Sequence, residues 1–449
     1  MSNPPPADPD PAQPPQPLDY AKPQQGGGVH DPYVAFRYPA FRLFAPAQAL
    51  SVVGAQMLAT TAAWQLYQIT KSEFSLGLLG LLQAAPVILL SLLAGHVADV
   101  YSRKRVLVTM QFALVACPLV LALLQYRGVT VPAWIYVVML VNAAANTFAR
   151  PARGSLLPTL VPQHVFPNAV TWNSSIFELS SVAGPAVGGL VLGYHGAAAA
   201  LTLSAALLGA CMALTLLLPD PGPAGERKPF SFETITAGLK FVFRTRLLLA
   251  TMSLDLFAVL FGGATYLLPV FADRLGVGPA GFGWMRAAPA LGAGAMALIQ
   301  AHRRPWNRAG RAMLLAVAGF SAATIVFGLS TNYWLSLAML LLIGVFDNIS
   351  VVVRHSLVQL LTPDAMRGRV TAVNQVFIGS SNEIGGFESG ATAALMGPVG
   401  SVVFGGCCAL GVVGAVAATF PEVRNLGKLT DVLPPADPEE TAVLTQEAV

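Results

Sequence analysis

The feature that most limits what this chain can become is a long succession of apolar runs. Each is about 20 residues, the length a helix needs to cross the hydrocarbon core of a bilayer. Twelve can be placed, at roughly 42–69, 75–99, 105–126, 132–150, 167–194, 197–218, 247–272, 280–301, 310–330, 332–354, 369–396 and 399–420. In lipid every backbone polar group must be satisfied within the chain, so runs of this length and number specify helices packed as a bundle. Only 11% of the 449 residues are charged, against about 25% in a soluble domain. The expected fold is an all-α membrane protein of twelve transmembrane helices. A formal net charge of +4 is too small a surplus to point to nucleic acid. Cys117, Cys211, Cys407 and Cys408 all fall inside apolar runs and form no CxxC or Cys/His cluster. Buried structural thiols are expected, with no disulfide framework, no metal site and no cofactor.

The connections sort by side. Those after odd-numbered spans are short: TKSE, QYRGVTVP, YHG, STN and MGPVG. Most Lys and Arg lie around the others, which leaves Lys71, Arg127 and Arg274 opposite. Positive charge stays on the cytoplasmic side, so both termini are expected there, in a cell (inner) membrane. Residues 1–35, rich in Pro, Gln and Gly, are expected to be a disordered cytoplasmic tail. Residues 36–218 then form a six-helix bundle and 247–420 a second, with 421–449 a polar cytoplasmic tail. Between the bundles, the linker 219–246 places Phe232, Ile235, Leu239 and Val242 on one helical face and Lys240 on another. That pattern predicts an amphipathic helix along the inner membrane surface.

The two bundles repeat each other. A slide of 201 residues brings Arg153 onto Arg354, Ser155 onto Ser356, Pro162 onto Pro363, Asn173 onto Asn374 and Gly184 onto Gly385. A slide of 203 puts Ala84-Ala85-Pro86 on Ala287-Ala288-Pro289. Parallel six-helix repeats are an architecture of secondary transporters, with the substrate between the halves near the midplane.

The connection between spans 2 and 3 reads G-H-V-A-D-V-Y-S-R-K-R over residues 95–105. It resembles the G-x-x-x-D-R-x-G-R-[RK] signature of the major facilitator superfamily. Gly95, Asp99, Arg103 and Lys104 match, Tyr101 fills the variable position, and Val100 and Ser102 depart from the usual Arg and Gly. AFRLFAPAQALS, ARPARGSLLPTLVP and LDLFAVLFGGATYLLPVFAD extend the resemblance over about residues 35–420. They place it in the branch that holds the enterobactin exporter and drug:proton antiporters. The resemblance implies two pseudo-symmetric six-helix bundles that transport by alternating access. It also implies that G-P-A-V-G-G, residues 184–189, is the helix 5 motif of proton-driven exporters. There Gly184, Pro185, Gly188 and Gly189 permit close helix approach and a kink. Asp99 then serves as a latch, accepting bonds from Arg103 and from the free N–H groups that begin helix 11. Lys104 and Arg105 read as topology anchors. The second-half copy, Q-A-H-R-R-P-W-N-R, carries His302 where the acid would stand, so its latch is expected to be weak or lost.

Ionisable groups inside the membrane are costly and therefore functional candidates. Glu178, Asp255 and Glu383 are the expected proton-coupling carboxylates, since an acid in an apolar cavity can load and release a proton near neutral pH. Gln56, Asn142, Asn173, Arg286 and Asn374 are the expected substrate contacts, Arg286 as a permanent cation. Gly95, Asp99, Arg103, Arg153, Asp347 and Arg354 form the expected gate, with Asp347 paired to Arg150 or Arg354. Trp64 and Tyr67 read as an outer interfacial belt.

The leading expectation is a proton-coupled exporter of small amphiphilic compounds such as siderophores or drugs. The alternatives are a proton-coupled importer and a carrier of lysophospholipid or other lipid. No P-loop, GxSxG or HExxH occurs, so an enzyme is not expected. The expected partners are a small-molecule substrate, protons and membrane lipids. A monomer is expected, because each six-plus-six unit holds its own pathway.

Overall fold

The computed structural model describes residues 31–220, 232–303 and 306–429; within helices, the side chains of Asp99 and Glu383 are among those left undescribed. The expectations for most of the two tails therefore lie outside the described residues. A short 3-10 turn, Val34–Arg37, leads into α1 (Pro39–Thr70), α2 (Glu73–Val100), α3 (Arg103–Tyr126), α4 (Pro132–Leu156) and α5 (Phe166–Leu217). Then follow α6 (Phe232–Arg244), α7 (Arg246–Phe261), α8 (Leu268–Arg274), α9 (Gly278–His302), α10 (Ala309–Leu329), α11 (Tyr333–Leu361), α12 (Asp364–Thr419) and α13 (Pro421–Arg424).

Local chemistry sets these boundaries. Ser72, Ser102 and Asn332 stand at N-caps and accept hydrogen bonds from the first free backbone N–H groups of α2, α3 and α11. α1 ends on Lys71 in the left-handed region, φ 48°. α5 and α12 run 52 and 56 residues, and each bends at one glycine with positive φ, Gly196 at 80° and Gly397 at 79°. Each of these helices therefore crosses twice. Among the described residues, nine helical segments are long and apolar enough to cross a membrane, including α5 and Phe377–Thr419. The two bends and the 25-residue α9 bring the crossings to the expected twelve.

The seventh crossing departs from the single span read at 247–272. α7 stops at Phe261, a 3-10 turn covers Gly263–Leu267, and α8 completes the crossing. The break falls where α12 comes closest. A Cβ on Gly385 would lie 2.8 Å from the Leu260 carbonyl oxygen, and one on Gly263 would lie 2.6 Å from the Gly385 carbonyl oxygen. Glycine at 263 and 385 leaves no Cβ between the two backbones, which is what lets α12 come this close.

The halves meet through α2 against α12 and α5 against α9. Their apolar cores join at one end only. A single cluster at the end opposite the termini combines Leu58, Leu66, Leu121 and Leu201 of the first half with Phe271, Phe282, Phe327 and Leu340 of the second. At the terminal end the cores are separate, one around Phe41, Leu107 and Leu156 and the other around Leu248, Met313 and Leu357. Among the described residues, the apolar cores of the two bundles thus merge at the far end and stay separate at the terminal end.

One reading is extended by this packing and another is corrected. α6 packs on the second half as well as presenting a surface: Val242 is fully buried in that bundle's cluster, while Phe243 stays exposed. A Cβ on Gly238 would lie 2.9 Å from the Arg369 carbonyl oxygen. Cys117 and Cys211 are buried, but Cys407 is exposed. An apolar thiol on a lipid-facing surface has no need of burial in protein.

Candidate functional site

At the far end, closure rests on glycines placed face to face. A Cβ on Gly189 would lie 2.6 Å from Gly283 Cα and 2.7 Å from the Pro279 carbonyl oxygen. On the other seam, a Cβ on Gly77 would lie 2.9 Å from Gly390 Cα. The G-P-A-V-G-G segment therefore packs in two directions. Gly184 and Gly188 back onto Gln56 and Met57 of α1, and Gly189 meets α9. Trp64 stacks on Phe282 with centroids 5.5 Å apart, and Phe74 meets Phe387 at 6.2 Å. Trp64 is thus an inter-half contact, and Tyr67 is buried in the same cluster; neither forms an interfacial belt. Their α1 face is covered by the second half, so it does not reach the headgroups.

A polar set finishes this closure. Lys71 Nζ lies 3.0 Å from Asp273 Oδ2 and donates to Gln68 Oε1 at 2.8 Å, and Gln68 Nε2 donates to Asp273 Oδ1 at 3.2 Å. Lys71 is half exposed, at 52%, so water screens the pair. Lys71→Ala is expected to lower stability by at most about 1 kcal/mol. Thermal unfolding in micelles checks this, and a large loss would mean that the pair carries the closure.

At the terminal end the basic connection between α2 and α3 is bonded within its own half. Lys104 Nζ donates to the carbonyls of Leu216 at 2.8 Å and Leu218 at 2.5 Å. Lys104 is therefore a cap for the sixth crossing in addition to a topology signal, as a cation suits the free carbonyls of a helix C-terminus. Arg105 lies 3.9 Å from Asp220. One donor of Arg103 goes to the Ser155 carbonyl at 3.0 Å, a partner in α4 that the sequence did not suggest. A Cβ on Gly95 would meet nothing within 4 Å, so no close contact explains that glycine in this arrangement. Arg153 is half-buried near the end of α4.

Asp255, Asp347 and Arg354 of the second half come from α7 and α11. Arg354, 3% exposed, forms an ion pair with Asp255. This corrects the expected pairing of Arg354 with Asp347. Those two residues stand seven apart on one helix, about 10 Å along its axis, whereas Asp255 approaches from a neighbouring helix. Asp347 and Asp255 instead line one small cavity with Phe320, Phe346 and Ser350. Asp347 has no hydrogen-bond or ion-pair partner among the described residues.

The other polar candidates are dispersed. Gln56 and Glu178 are half-buried, Asn374 is 4% exposed, and Asn173 Oδ1 is buried without a partner among the described residues. Asn142 accepts from Asn146 Nδ2 at 3.1 Å. Arg286 is half-buried and has a partner. Among the described residues, no hydrogen bond joins Gln56, Asn173 or Asn374 to another of the expected substrate contacts.

With this geometry the relationships to known proteins become informative. A family model described as transmembrane secretion effector matches residues 30–441. The enterobactin exporter EntS of Escherichia coli O1:K1 is 27% identical over 367 residues, covering 81% of this chain and 88% of the exporter. EntS of Shigella boydii serotype 18 matches to the same extent. Among solved structures, the nucleoside transporter NupG aligns with a TM-score of 0.67 at 16% identity, covering 85% of this chain and 99% of that one. A bacterial homolog of the human lysosomal transporter Spinster, in an inward-facing and unoccupied conformation, aligns with a TM-score of 0.67 at 13% identity, covering 88% and 99%. At these identities the structural likeness establishes the fold alone: the major facilitator fold of two six-helix bundles.

Proposed function

We infer that this chain, which belongs to the transmembrane secretion effector family and is a membrane transporter of the major facilitator type, exports small amphiphilic compounds of the siderophore or drug class in exchange for protons. The observation that carries this reading is the near full-length likeness to enterobactin exporters. On the positive-inside pattern, the terminal end faces the cytoplasm and the far end faces outward. The substrate enters between the bundles from the terminal end, where their apolar cores are separate, and Gln56, Asn142, Asn173, Arg286 and Asn374 offer polar contacts. Release outward requires the Gly189–Gly283 and Gly77–Gly390 seams to part.

Proton coupling is assigned to Asp255 and Glu178, with Glu383 of the eleventh crossing as a further acid. A proton on Asp255 discharges the carboxylate that holds Arg354, which loosens α7 from α11 when the proton loads. Asp99 retains the proposed role of a cytoplasmic latch. Asp255→Asn and Glu178→Gln are each expected to lower proton-dependent export by about 5- to 150-fold, the usual range of coupling between two bound ligands. The check is siderophore accumulation in cells expressing each variant, read at two external pH values. If both variants keep wild-type accumulation and pH dependence, the coupling assignment fails.

A further inference from the structure

One cavity lies outside the path between the halves. It measures about 490 Å³ and sits at the terminal end of the second half. Arg303, Trp306, Asn307 and Ser356 supply polar groups and an aromatic plate; Val353 and Leu429 supply an apolar wall. Gln300, Arg303, Trp306 and Asn307, which line it, belong to the sequence repeat of the first-half latch that lacks the acid. We propose that this cavity binds the phosphate-bearing headgroup of an anionic phospholipid from the leaflet at the terminal end.

The guanidinium of Arg303 lies over the Trp306 ring, 5.2 Å from its centroid. Stacking uses the face of the guanidinium and leaves its in-plane N–H donors available for a planar or tetrahedral oxyanion. No described hydrogen bond or ion pair occupies those donors, and no acidic side chain lines the cavity among the described residues. The charge is therefore complementary to an anion.

Depth argues for a lipid source. Arg303 is the C-cap of α9, at the end of a 25-residue crossing. Ser356 lies 23 residues after Tyr333, the first residue of the 29-residue α11. At about 1.5 Å per residue it stands about 35 Å along that helix, beyond a hydrocarbon core of about 30 Å. Arg303 and Ser356 thus meet at headgroup level. The neighbouring Val352 is exposed and Val353 is buried, so an apolar surface continues from the cavity toward the lipid chains. Basic pockets between helices at this depth suit anionic headgroups.

The test uses full-length protein in detergent micelles, given equal amounts of phosphatidylglycerol and phosphatidylcholine with matched chains, and counts retained lipids by native mass spectrometry. Wild type should retain phosphatidylglycerol about fivefold over phosphatidylcholine, the preference expected from one basic group at this depth. Arg303→Gln should bring the two lipids to parity. Trp306→Leu, which keeps the charge and removes the plate, should fall between. Arg105→Gln, an exposed arginine on the first-half connection, should leave the preference unchanged. An unchanged preference in Arg303→Gln would overturn the proposal. So would displacement of phosphatidylglycerol by millimolar inorganic phosphate, which would identify a free-anion site instead.

Discussion

Arg354→Ala will destabilise the protein by about 3–5 kcal/mol, the cost of leaving a buried charge without its partner. Arg354 is 3% exposed and Asp255 is 8% exposed, and they pair between α7 and α11. Removing the guanidinium leaves the Asp255 carboxylate in an apolar seam beside a second acid, Asp347, in the same cavity. The double variant Asp255→Ala/Arg354→Ala removes both charges and should recover much of the loss. The measurement is thermal and denaturant unfolding of the purified single and double variants. If the double variant is less stable than Arg354→Ala, the buried pair is not the source of the effect.

Gly189→Leu will abolish closure at the far end. Its Cβ alone would lie 2.6 Å from Gly283 Cα and 2.7 Å from a carbonyl oxygen, both backbone atoms that cannot turn aside. Overpacking of this kind costs about 1–3 kcal/mol or more, and here the cost falls on the closed state alone. The protein should fold but populate an arrangement parted at the far end, with transport lost. Spin labels at Arg127 and Thr331, exposed far-end positions in the first and second halves, report the change. Their distance should lengthen in Gly189→Leu. An unchanged distance with normal transport would mean that the α5–α9 seam does not gate.

Much of this architecture was legible in the sequence, because bilayer thickness converts apolar run length directly into crossings. The bends at Gly196 and Gly397 fall in the short YHG and MGPVG connections, where glycine permits the positive φ. The break in the seventh crossing also had a signal, the Gly262-Gly263 pair. Pairing across helices was not legible. Asp347 and Arg354 suggest each other by sharing one helix, but the partner of Arg354 is set by which face α7 turns toward α11. Trp64 was misread for the same reason: an aromatic near the end of a span suits headgroups equally well until a second bundle covers it. The dual packing of residues 184–189 was only half visible. Small residues announce close approach, but the identity of the two neighbours depends on the fold as a whole.

The most direct measurement is proton flux across proteoliposomes that hold the purified protein and an enclosed pH-sensitive dye, with a proton gradient imposed. Siderophores and then amphiphilic drugs are added in turn. A substrate-dependent proton movement that is lost in Asp255→Asn is the predicted result. Transport of those compounds with no accompanying proton movement, in protein shown to be folded, would contradict proton-coupled export and leave the intramembrane carboxylates as structural groups.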